Sequence, residues 1–177
     1  MSDAVGSIPT QPTKNNHLNS ELQMIIKPPH QFSQYSFPKL FLAGSIEMGK
    51  AENWQKRIED EVGNTQAIIL NPRRDDWDSS WKQEISNPQF KNQVEWELQA
   101  LEEANQIVMY FQPGTQSPIT LLELGLFKDN NLVVCCPEGF WRKGNVDIVC
   151  EKYGINQVDT LDELVDVAVV WSRLFKA

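Results

Sequence analysis

One acidic residue, Glu123, interrupts an otherwise apolar helix near the middle of the chain. Ser117 as N-cap and Pro118 at the first helical position predict where this helix begins, and the run Ile119–Phe127 is apolar nearly all round, which predicts a buried helix. Thr120 and Glu123 are three residues apart and share one face. An ionised carboxylate there is costly unless it is paired or faces a polar cavity. Glu123 is therefore a candidate functional residue; an exposed position, or a pairing with a distant Arg or Lys, is the alternative.

A carboxylate held in this way suits chemistry at a sugar carbon. It can attack the electrophilic anomeric carbon, or it can stabilise an oxocarbenium-like transition state as one of the two carboxyl groups of glycoside chemistry. The second carboxyl group would come from Glu97, Asp76 or Asp78, with a pKa separated from that of Glu123 by its environment.

Glu97 lies on a helix that the apolar pattern predicts over Phe90–Ala104. At about 100° per residue it falls between Leu101 and Ala104, inside the apolar stripe, so it is expected to point toward the core or the strand ends. The alternative is a boundary residue that reaches outward to solvent. Trp96 falls off the stripe, which predicts an outer position and a subunit contact. The stripe consists of Phe90, Val94, Leu98, Leu101 and Ala104.

Apolar runs predict five short strands, each followed by a helix. This alternation indicates a parallel sheet with helices on both faces, a three-layer α/β sandwich. The spacing favours the flavodoxin-like order 2-1-3-4-5, with a Rossmann-like order as the alternative. The predicted strands are Lys39–Ser45, Ala67–Leu70, Gln106–Gln112, Leu132–Cys136 and Gln157–Val158. The predicted helices are Ala51–Val62, Phe90–Ala104, Ser117–Phe127, Asn145–Tyr153 and Leu161–Phe175.

Three polar segments are expected to meet at one edge of this sheet. Ligands bind such sheets at the carboxyl ends of the strands where the order reverses, between the first and third strands. Gly44 and Ser45 end the first strand, and Pro113–Ser117 follows the third. The long polar loop Asn71–Trp81 follows the second, and loops of this kind are usually functional or disordered. Gly44 lets the backbone approach a ligand, and free amides there can bind a sugar hydroxyl or a phosphate.

Composition limits the domain organisation and the partners. Residues 1–22 are rich in Ser, Thr, Asn, Pro and Gln, which predicts a disordered tail, followed by an extended connector over 23–38 and an α/β domain over 39–177. The net charge of −8 argues against a nucleic-acid polymer or an anionic membrane as partner. No apolar stretch has the length of a membrane span or a signal core, so a cytoplasmic protein is expected.

The Cys and His residues indicate neither a metal nor a cofactor. Cys135, Cys136 and Cys150 lack the spacing of zinc ligands and are predicted to be buried, reduced thiols. His17 and His30 both precede the first core strand, which argues against a Ser-His-Asp or Cys-His mechanism. Acid–base and nucleophilic work would then be done by carboxylates, hydroxyls or water.

Four motifs in order resemble the nucleoside 2-deoxyribosyltransferase-like proteins. They are FLAGSI in the first strand, NPRRDDWD after the second, QVEWE on the next helix and SPITLLELG on the following one. The resemblance covers Lys39 to Asn130. It implies the same α/β fold, a small-molecule nucleoside or nucleotide as substrate and a homo-oligomer.

The resemblance also implies roles for individual residues. Glu123 matches the family's nucleophile, which attacks C1′ of a nucleoside, releases the base and holds the sugar as a covalent ester until a second base or water takes it. Glu97 matches an acidic residue that orients the sugar hydroxyls. The polar loop would cover the nucleobase, with Asp76 and Asp78 as candidate contacts and Trp77 for stacking.

The sequence departs from the family pattern at Ser117, where deoxyribosyltransferases carry an acidic residue that reads the base. Arg73 and Arg74 are suited to bind a phosphate in a bidentate manner, which would fit hydrolysis of a nucleoside monophosphate. The alternative for this pair is a surface ion pair with Asp75 or Asp76.

An enzyme that cleaves a nucleoside N-glycosidic bond through Glu123, by transfer or by hydrolysis, is the leading hypothesis. A nucleotide N-glycosidase and a non-catalytic nucleotide-binding sensor are the alternatives, since one fold hosts many functions. Asn145 and Asp147 are further candidates, which would complete the site of a neighbouring subunit.

Overall fold

The computed structural model describes residues 24–47 and 51–175, and in these ranges it contains a six-stranded parallel sheet and five helices. The predicted tail over 1–22 lies outside the described residues. The strands are β1 (Met24–Ile26), β2 (Lys39–Gly44), β3 (Ile68–Leu70), β4 (Gln106–Tyr110), β5 (Leu132–Cys135) and β6 (Asn156–Val158). The helices are α1 (Trp54–Val62), α2 (Pro88–Glu103), α3 (Pro118–Leu126), α4 (Lys143–Tyr153) and α5 (Leu161–Arg173).

The sheet has the order β1-β3-β2-β4-β5-β6. The predicted α/β fold class is confirmed, and the five predicted strands take the order 2-1-3-4-5 within it. The strand count was wrong by one, because the connector before the domain contributes β1, which pairs in parallel with β3. The order reverses at β2, which lies between β3 and β4 with Gly44 opposite Tyr110. This reversal places the carboxyl ends of β2 and β4 side by side.

Two apolar layers cover the sheet, as expected when alternate side chains of a strand point to opposite faces. Leu40 and Leu42 of β2 pack with α1 and α5, whereas Phe41 and Ala43 pack with α2, α3 and α4. In α1, the face that carries Trp54, Ile58 and Val62 is buried, with these three side chains at most 4% exposed. The candidate carboxylates belong to α2 and α3, so they lie on the second of these faces.

The connector covers the side of α2 that was predicted to face outward. Trp96 is buried, its ring meets that of Phe32 edge-on at 5.2 Å, and its Nε1 donates to the His30 carbonyl at 2.8 Å. The predicted outer position of Trp96 was therefore wrong, because a segment more than 60 residues earlier packs over this face. The helical period alone cannot show such a distant partner.

Helix α3 is buried on one face only. Thr120 and Glu123 are buried, as expected for residues that share a face. Ile119, Leu122 and Leu126 are 58%, 58% and 59% exposed, so the prediction of a helix buried all round was wrong for this single chain. These three side chains form an apolar stripe on the outside of α3.

The remaining expectations concern thiols, membranes and metals. The three cysteines are buried and unpaired with one another. Within residues 24–47 and 51–175, no helix is long and apolar enough to cross a membrane. The same ranges contain no group of three or more His, Cys, Asp or Glu residues arranged to hold a metal ion.

Candidate active site

The site begins where β2 and β4 end side by side. Gly44 has φ +144°, and a Cβ placed on it would lie 2.4 Å from the Tyr110 carbonyl oxygen. Only glycine fits this approach, because a side chain would overlap the neighbouring strand and the φ value disfavours other residues. The Ser45 amide then donates to the same carbonyl at 2.9 Å, which fixes the loop after β2 against the end of β4.

Three hydroxyl groups converge at this junction. Ser45 Oγ lies 2.6 Å from Ser117 Oγ and 3.0 Å from Thr115 Oγ1, and the latter two are 2.9 Å apart. Ser45 Oγ also accepts a hydrogen bond from the backbone N–H of Gln112 at 2.9 Å. The cluster joins the loops after β2 and β4 and presents hydroxyl groups at the start of α3.

Ser117 does not cap α3 through its side chain, contrary to the prediction. Its φ of 44° is left-handed, and it makes no side-chain cap hydrogen bond. This backbone conformation turns the hydroxyl toward Ser45 and Thr115 instead of the amides of the first helical turn. Ser117 thus contributes to the hydroxyl cluster and precedes Pro118, which begins the helix as predicted.

Glu47 was not singled out in the sequence, and it binds the backbone just before α3. One oxygen of its carboxylate accepts hydrogen bonds from the amides of Gln116 at 3.0 Å and Ser117 at 2.7 Å. Amides at the start of a helix are a favourable place for a negative charge. No sequence signal reveals this contact, because it depends on how two loops meet.

The loop after β3 is tied to the start of α1. The Arg73 guanidinium donates to the carbonyls of Ala51 and Glu52 at 2.9 and 3.0 Å, and burial lowers its pKa. Asn71 Oδ1 accepts from the Arg73 amide at 2.9 Å, and Asn71 Nδ2 donates to the Glu59 carboxylate at 2.7 Å. Arg73 thus holds two loops together, a structural role that the sequence did not suggest.

The tip of the same loop is exposed. Arg74 forms a bidentate pair with Asp76, with both contacts at 2.8 Å, so the ion-pair alternative holds for Arg74. The hydrogen bonds from Arg74 hold the pKa of Asp76 below its ordinary value. Hydrogen bonds from the Ser80 hydroxyl and backbone amide lower the pKa of Asp78 in the same way. Trp77 is partly buried, and its ring lies edge-on to that of Trp81 at 5.2 Å.

Two carboxyl groups, those of Glu97 and Glu123, have their pKa values raised instead. Glu123 is 8% exposed, and its pKa rises to about 8, chiefly through burial and further through the negative charge of Glu97. Burial also raises the pKa of the partly buried Glu97 to about 7, against a hydrogen bond from Gln93 that lowers it. Neither carboxylate forms an ion pair within the described residues. The negative charge of Glu97 thus adds to the effect of burial on Glu123, and the raised pKa values favour the protonated form of both acids near neutral pH.

Gln93 is the second residue near the site that sequence reasoning missed. It is 4% exposed, and its Nε2 donates to Glu97 Oε1 at 2.7 Å and to the Pro72 carbonyl at 3.1 Å. A signal was present, because Gln93 precedes Glu97 by four residues and so shares its face of α2. A polar side chain on the same helix face as a candidate carboxyl group is that signal.

Asn145 lies apart from this cluster. It is exposed on α4, where its backbone N–H donates to the Arg142 carbonyl. Asp147 is bound to Lys143 at 2.9 Å and to Gln157 at 3.0 Å. A role for Asn145 or Asp147 in a neighbouring subunit stays a prediction.

Two surface depressions lie elsewhere on the molecule. One is lined by residues from Lys128–Leu132 and Tyr153–Asn156, and the other lies beside β1 and includes His30 and Tyr35. Neither contains Glu97 or Glu123.

Comparisons with known proteins agree with the motifs. The family model described as nucleoside 2-deoxyribosyltransferase like matches residues 38–140, more than half of the chain. A crystal structure of a conserved protein from Enterococcus faecalis V583 has a TM-score of 0.53 and 10% sequence identity, and covers 75% of this chain and 98% of its own. At that identity the likeness shows the fold alone. No curated protein matches the chain in sequence.

The matched segment, residues 38–140, includes the junction of β2 and β4, the loop after β3 and both buried carboxyl groups. The chain belongs to the nucleoside 2-deoxyribosyltransferase-like family.

Proposed function

We propose that this protein cleaves the N-glycosidic bond of a nucleoside or nucleotide through a covalent glycosyl ester on Glu123. The observation that carries the proposal is the pair of the partly buried Glu97 and the buried Glu123, two acids without a basic partner among the described residues and with raised pKa values. Burying such groups destabilises a protein, so a pair of this kind marks a functional site more often than a structural one.

In the first step, a carboxylate oxygen of Glu123 attacks C1′ of the sugar. Because its pKa is about 8, Glu123 first releases its proton to water. The C1′–O bond then forms as the C1′–N bond breaks, and the base leaves with the bonding electrons and takes up a proton from water. Glu97 orients the sugar hydroxyls, the role implied by its family position. A hydrogen bond to a sugar hydroxyl that strengthens as charge develops at C1′ lowers the barrier further.

In the second step, another base or a water molecule attacks C1′ from the side that the first base left. The ester bond breaks, Glu123 regains its carboxylate, and the attacking group loses a proton to water. A base gives a new nucleoside, and water gives the free sugar. Splitting one displacement into two easier ones is the usual advantage of a carboxylate nucleophile.

Incubation of the protein with a deoxynucleoside and a different free base, followed by chromatography, tests the proposal. A new nucleoside indicates transfer, and free sugar alone indicates hydrolysis. If the mixture is unchanged and the protein still binds nucleotide, the protein is a non-catalytic sensor and the proposal is wrong.

The hydroxyl cluster favours a nucleoside monophosphate as a second candidate substrate. Ser45, Thr115 and Ser117 place neutral hydroxyl groups, bonded to one another and to the Gln112 carbonyl, where deoxyribosyltransferases have an acidic residue at position 117. Hydroxyl groups tolerate a phosphate, whereas a carboxylate repels it. The Glu47 carboxylate, which now binds the amides of Gln116 and Ser117, would have to move or be neutralised. Parallel assays with a nucleoside and its 5′-monophosphate decide between these substrates.

We also propose that the active form is a homo-oligomer. The apolar stripe of Ile119, Leu122 and Leu126 lies on the same helix as Glu123, which borders it because Ile119 is four residues before Glu123 and Leu126 is three residues after it. The stripe carries no charge, so two copies of an acidic chain can meet there without repulsion. Contact between copies at α3 would fix the helix that positions the nucleophile.

A further inference from the structure

Gln93 connects three parts of the candidate site. It belongs to α2, its amide nitrogen binds Glu97 on the same helix, and the same nitrogen binds the Pro72 carbonyl in the loop after β3. Both protons of the amide nitrogen are therefore used, at distances of 2.7 and 3.1 Å. A side chain so constrained on two sides cannot change its rotamer without breaking a buried hydrogen bond.

The orientation of the Gln93 amide follows from its partners. A backbone carbonyl only accepts hydrogen bonds, so the group that faces Pro72 must be the nitrogen. An amide turned by 180° would bring two acceptor oxygens together in a buried place. The position of the Gln93 oxygen is thus fixed by the hydrogen bonds of the nitrogen.

The Gln93 oxygen is buried and lacks a donor within the described residues. Leaving a buried acceptor unpaired costs about 1–3 kcal/mol, and most such groups in proteins find a partner. The nitrogen of the same amide group donates to Glu97, so the Gln93 oxygen lies close to the Glu97 carboxyl group. A donor supplied by a bound molecule would remove the cost.

We propose that Gln93 is a positioning and specificity-determining residue, whose nitrogen fixes Glu97 and whose oxygen accepts a hydrogen bond from the substrate. The ligand group is an O–H or N–H donor, either a sugar hydroxyl or an N–H of the nucleobase. This inference rests on the proposed glycosidic function. It adds to that function a group that selects substrates by the donor they carry.

The test compares Gln93→Met with Gln99→Met. Gln99 is a matched control, because it lies on the same helix and its amide also binds a glutamate, Glu103 at 3.0 Å, but on a side that faces Ser33. We expect Gln93→Met to lower kcat/KM by about tenfold, the value of one hydrogen bond to a buried group, and Gln99→Met to leave it within about twofold.

Substrate analogues identify the donor. One analogue lacks the 3′-hydroxyl group, and another carries a methyl group in place of a base N–H proton. In the wild-type protein, the analogue without the relevant donor loses about tenfold in kcat/KM, and in Gln93→Met that loss disappears. If each analogue loses the same factor in kcat/KM in Gln93→Met as in the wild type, the Gln93 oxygen binds water only and the proposal is overturned.

A second variant separates the two ends of the amide. Gln93→Glu keeps an acceptor oxygen but removes the donor and adds a negative charge beside Glu97. We expect it to keep its sensitivity to the substrate donor while raising the pKa of Glu97, measured by carboxyl carbon NMR. Gln93→Met is also expected to raise this pKa, whereas Gln99→Met leaves it unchanged. An unchanged Glu97 titration in both Gln93 variants overturns the positioning role.

The failure of the inference can be told from the failure of the proposed function. A wild-type protein that turns over nucleosides, with no coupling between Gln93 and any substrate donor, contradicts the inference alone. A wild-type protein without turnover on nucleosides or nucleotides contradicts the proposed function, and the substrate contact with it, while the Glu97 titration still decides the positioning role.

Discussion

The exposed aspartates of the loop after β3 and the buried glutamates of α2 and α3 are the same chemical group in opposite surroundings. Asp76 has a guanidinium partner and Asp78 accepts from Ser80, and the pKa of each lies below its ordinary value. Burial raises the pKa of both Glu97 and Glu123 well above the ordinary value, and the negative charge of Glu97 raises that of Glu123 further. All four were candidates for the carboxyl pair. Only the two glutamates have surroundings that favour the protonated form near neutral pH. Neighbours, not residue type, decide which of these acids hold a proton near neutral pH.

The largest effect is expected at the buried pair. Glu123→Gln removes the nucleophile but keeps the shape of the side chain, so turnover should fall on the order of 10³-fold or more. Steady-state kinetics with a deoxynucleoside measures the loss, and circular dichroism checks that the fold is kept. Retention of wild-type turnover would mean that Glu123 is buried for another reason.

The next effect concerns the outer face of α3. Leu122→Glu places charges opposite each other if two copies meet there, so self-association should weaken by about 100-fold. Sedimentation velocity over a range of concentrations measures it. Val170→Glu, on an exposed apolar position of α5, is the control and should leave the association unchanged. Equal behaviour of the two variants would show that copies do not meet at α3.

Stability should respond to pH with opposite sign in the two regions. The folded pKa of Glu123 is about 8 against an ordinary value of 4.5, so the folded state holds a proton that the unfolded state releases between these values. Stability from this group is full below pH 4.5 and is lost as the pH rises to 8. Glu123→Gln should therefore raise the free energy of unfolding at pH 8 by about 1–3 kcal/mol, and the gain should vanish at pH 4.

Urea unfolding of the wild type, Glu123→Gln and Asp76→Asn at both pH values measures this contrast. The pKa of Asp76 is lowered in the folded state, so its contribution to the free energy of unfolding is present at pH 8 and is lost in acid. Asp76→Asn should then be no more stable than the wild type at pH 8. A Glu123→Gln variant that is less stable than the wild type at pH 8 would show that the carboxylate has an unseen stabilising partner.

The smallest effect is expected at the exposed aspartates. If Asp76 or Asp78 contacts the base, each contact is exposed, so Asp76→Asn and Asp78→Asn should change KM by no more than about fivefold and leave kcat unchanged. Steady-state kinetics on both variants measures this. A large fall in kcat would show that the loop closes over the substrate and brings one of these acids to the reacting carbon.

The fold and the glutamate pair could be predicted because they depend on local patterns. Alternating apolar runs gave five of the six strands, and one acidic residue in an apolar helix singled out Glu123. The face of α2 that carries Glu97 and Gln93 was only partly predicted. Trp96 was assigned to the wrong side because Phe32 and His30, far away in sequence, cover it.

Residues that act through loop contacts could not be predicted. The carboxylate of Glu47 binds amides that lie about 70 residues later, and Arg73 binds carbonyls about 20 residues earlier. Such contacts form only when the ends of β2, β3 and β4 are brought together, and no periodic pattern encodes them. Ser117 was given the wrong role for the same reason, since its left-handed backbone is set by the loop and not by the helix.

Mass spectrometry of the protein after reaction with a 2′-fluoro nucleoside tests the central claim most directly. The electron-withdrawing fluorine destabilises the oxocarbenium-like transition state of ester hydrolysis, so a glycosyl ester should accumulate. We expect the intact protein to gain the mass of one fluorinated sugar, and fragmentation should place that mass on Glu123. Turnover of nucleosides without any adduct on Glu123, or an adduct on another residue, would contradict a covalent mechanism through this buried carboxylate.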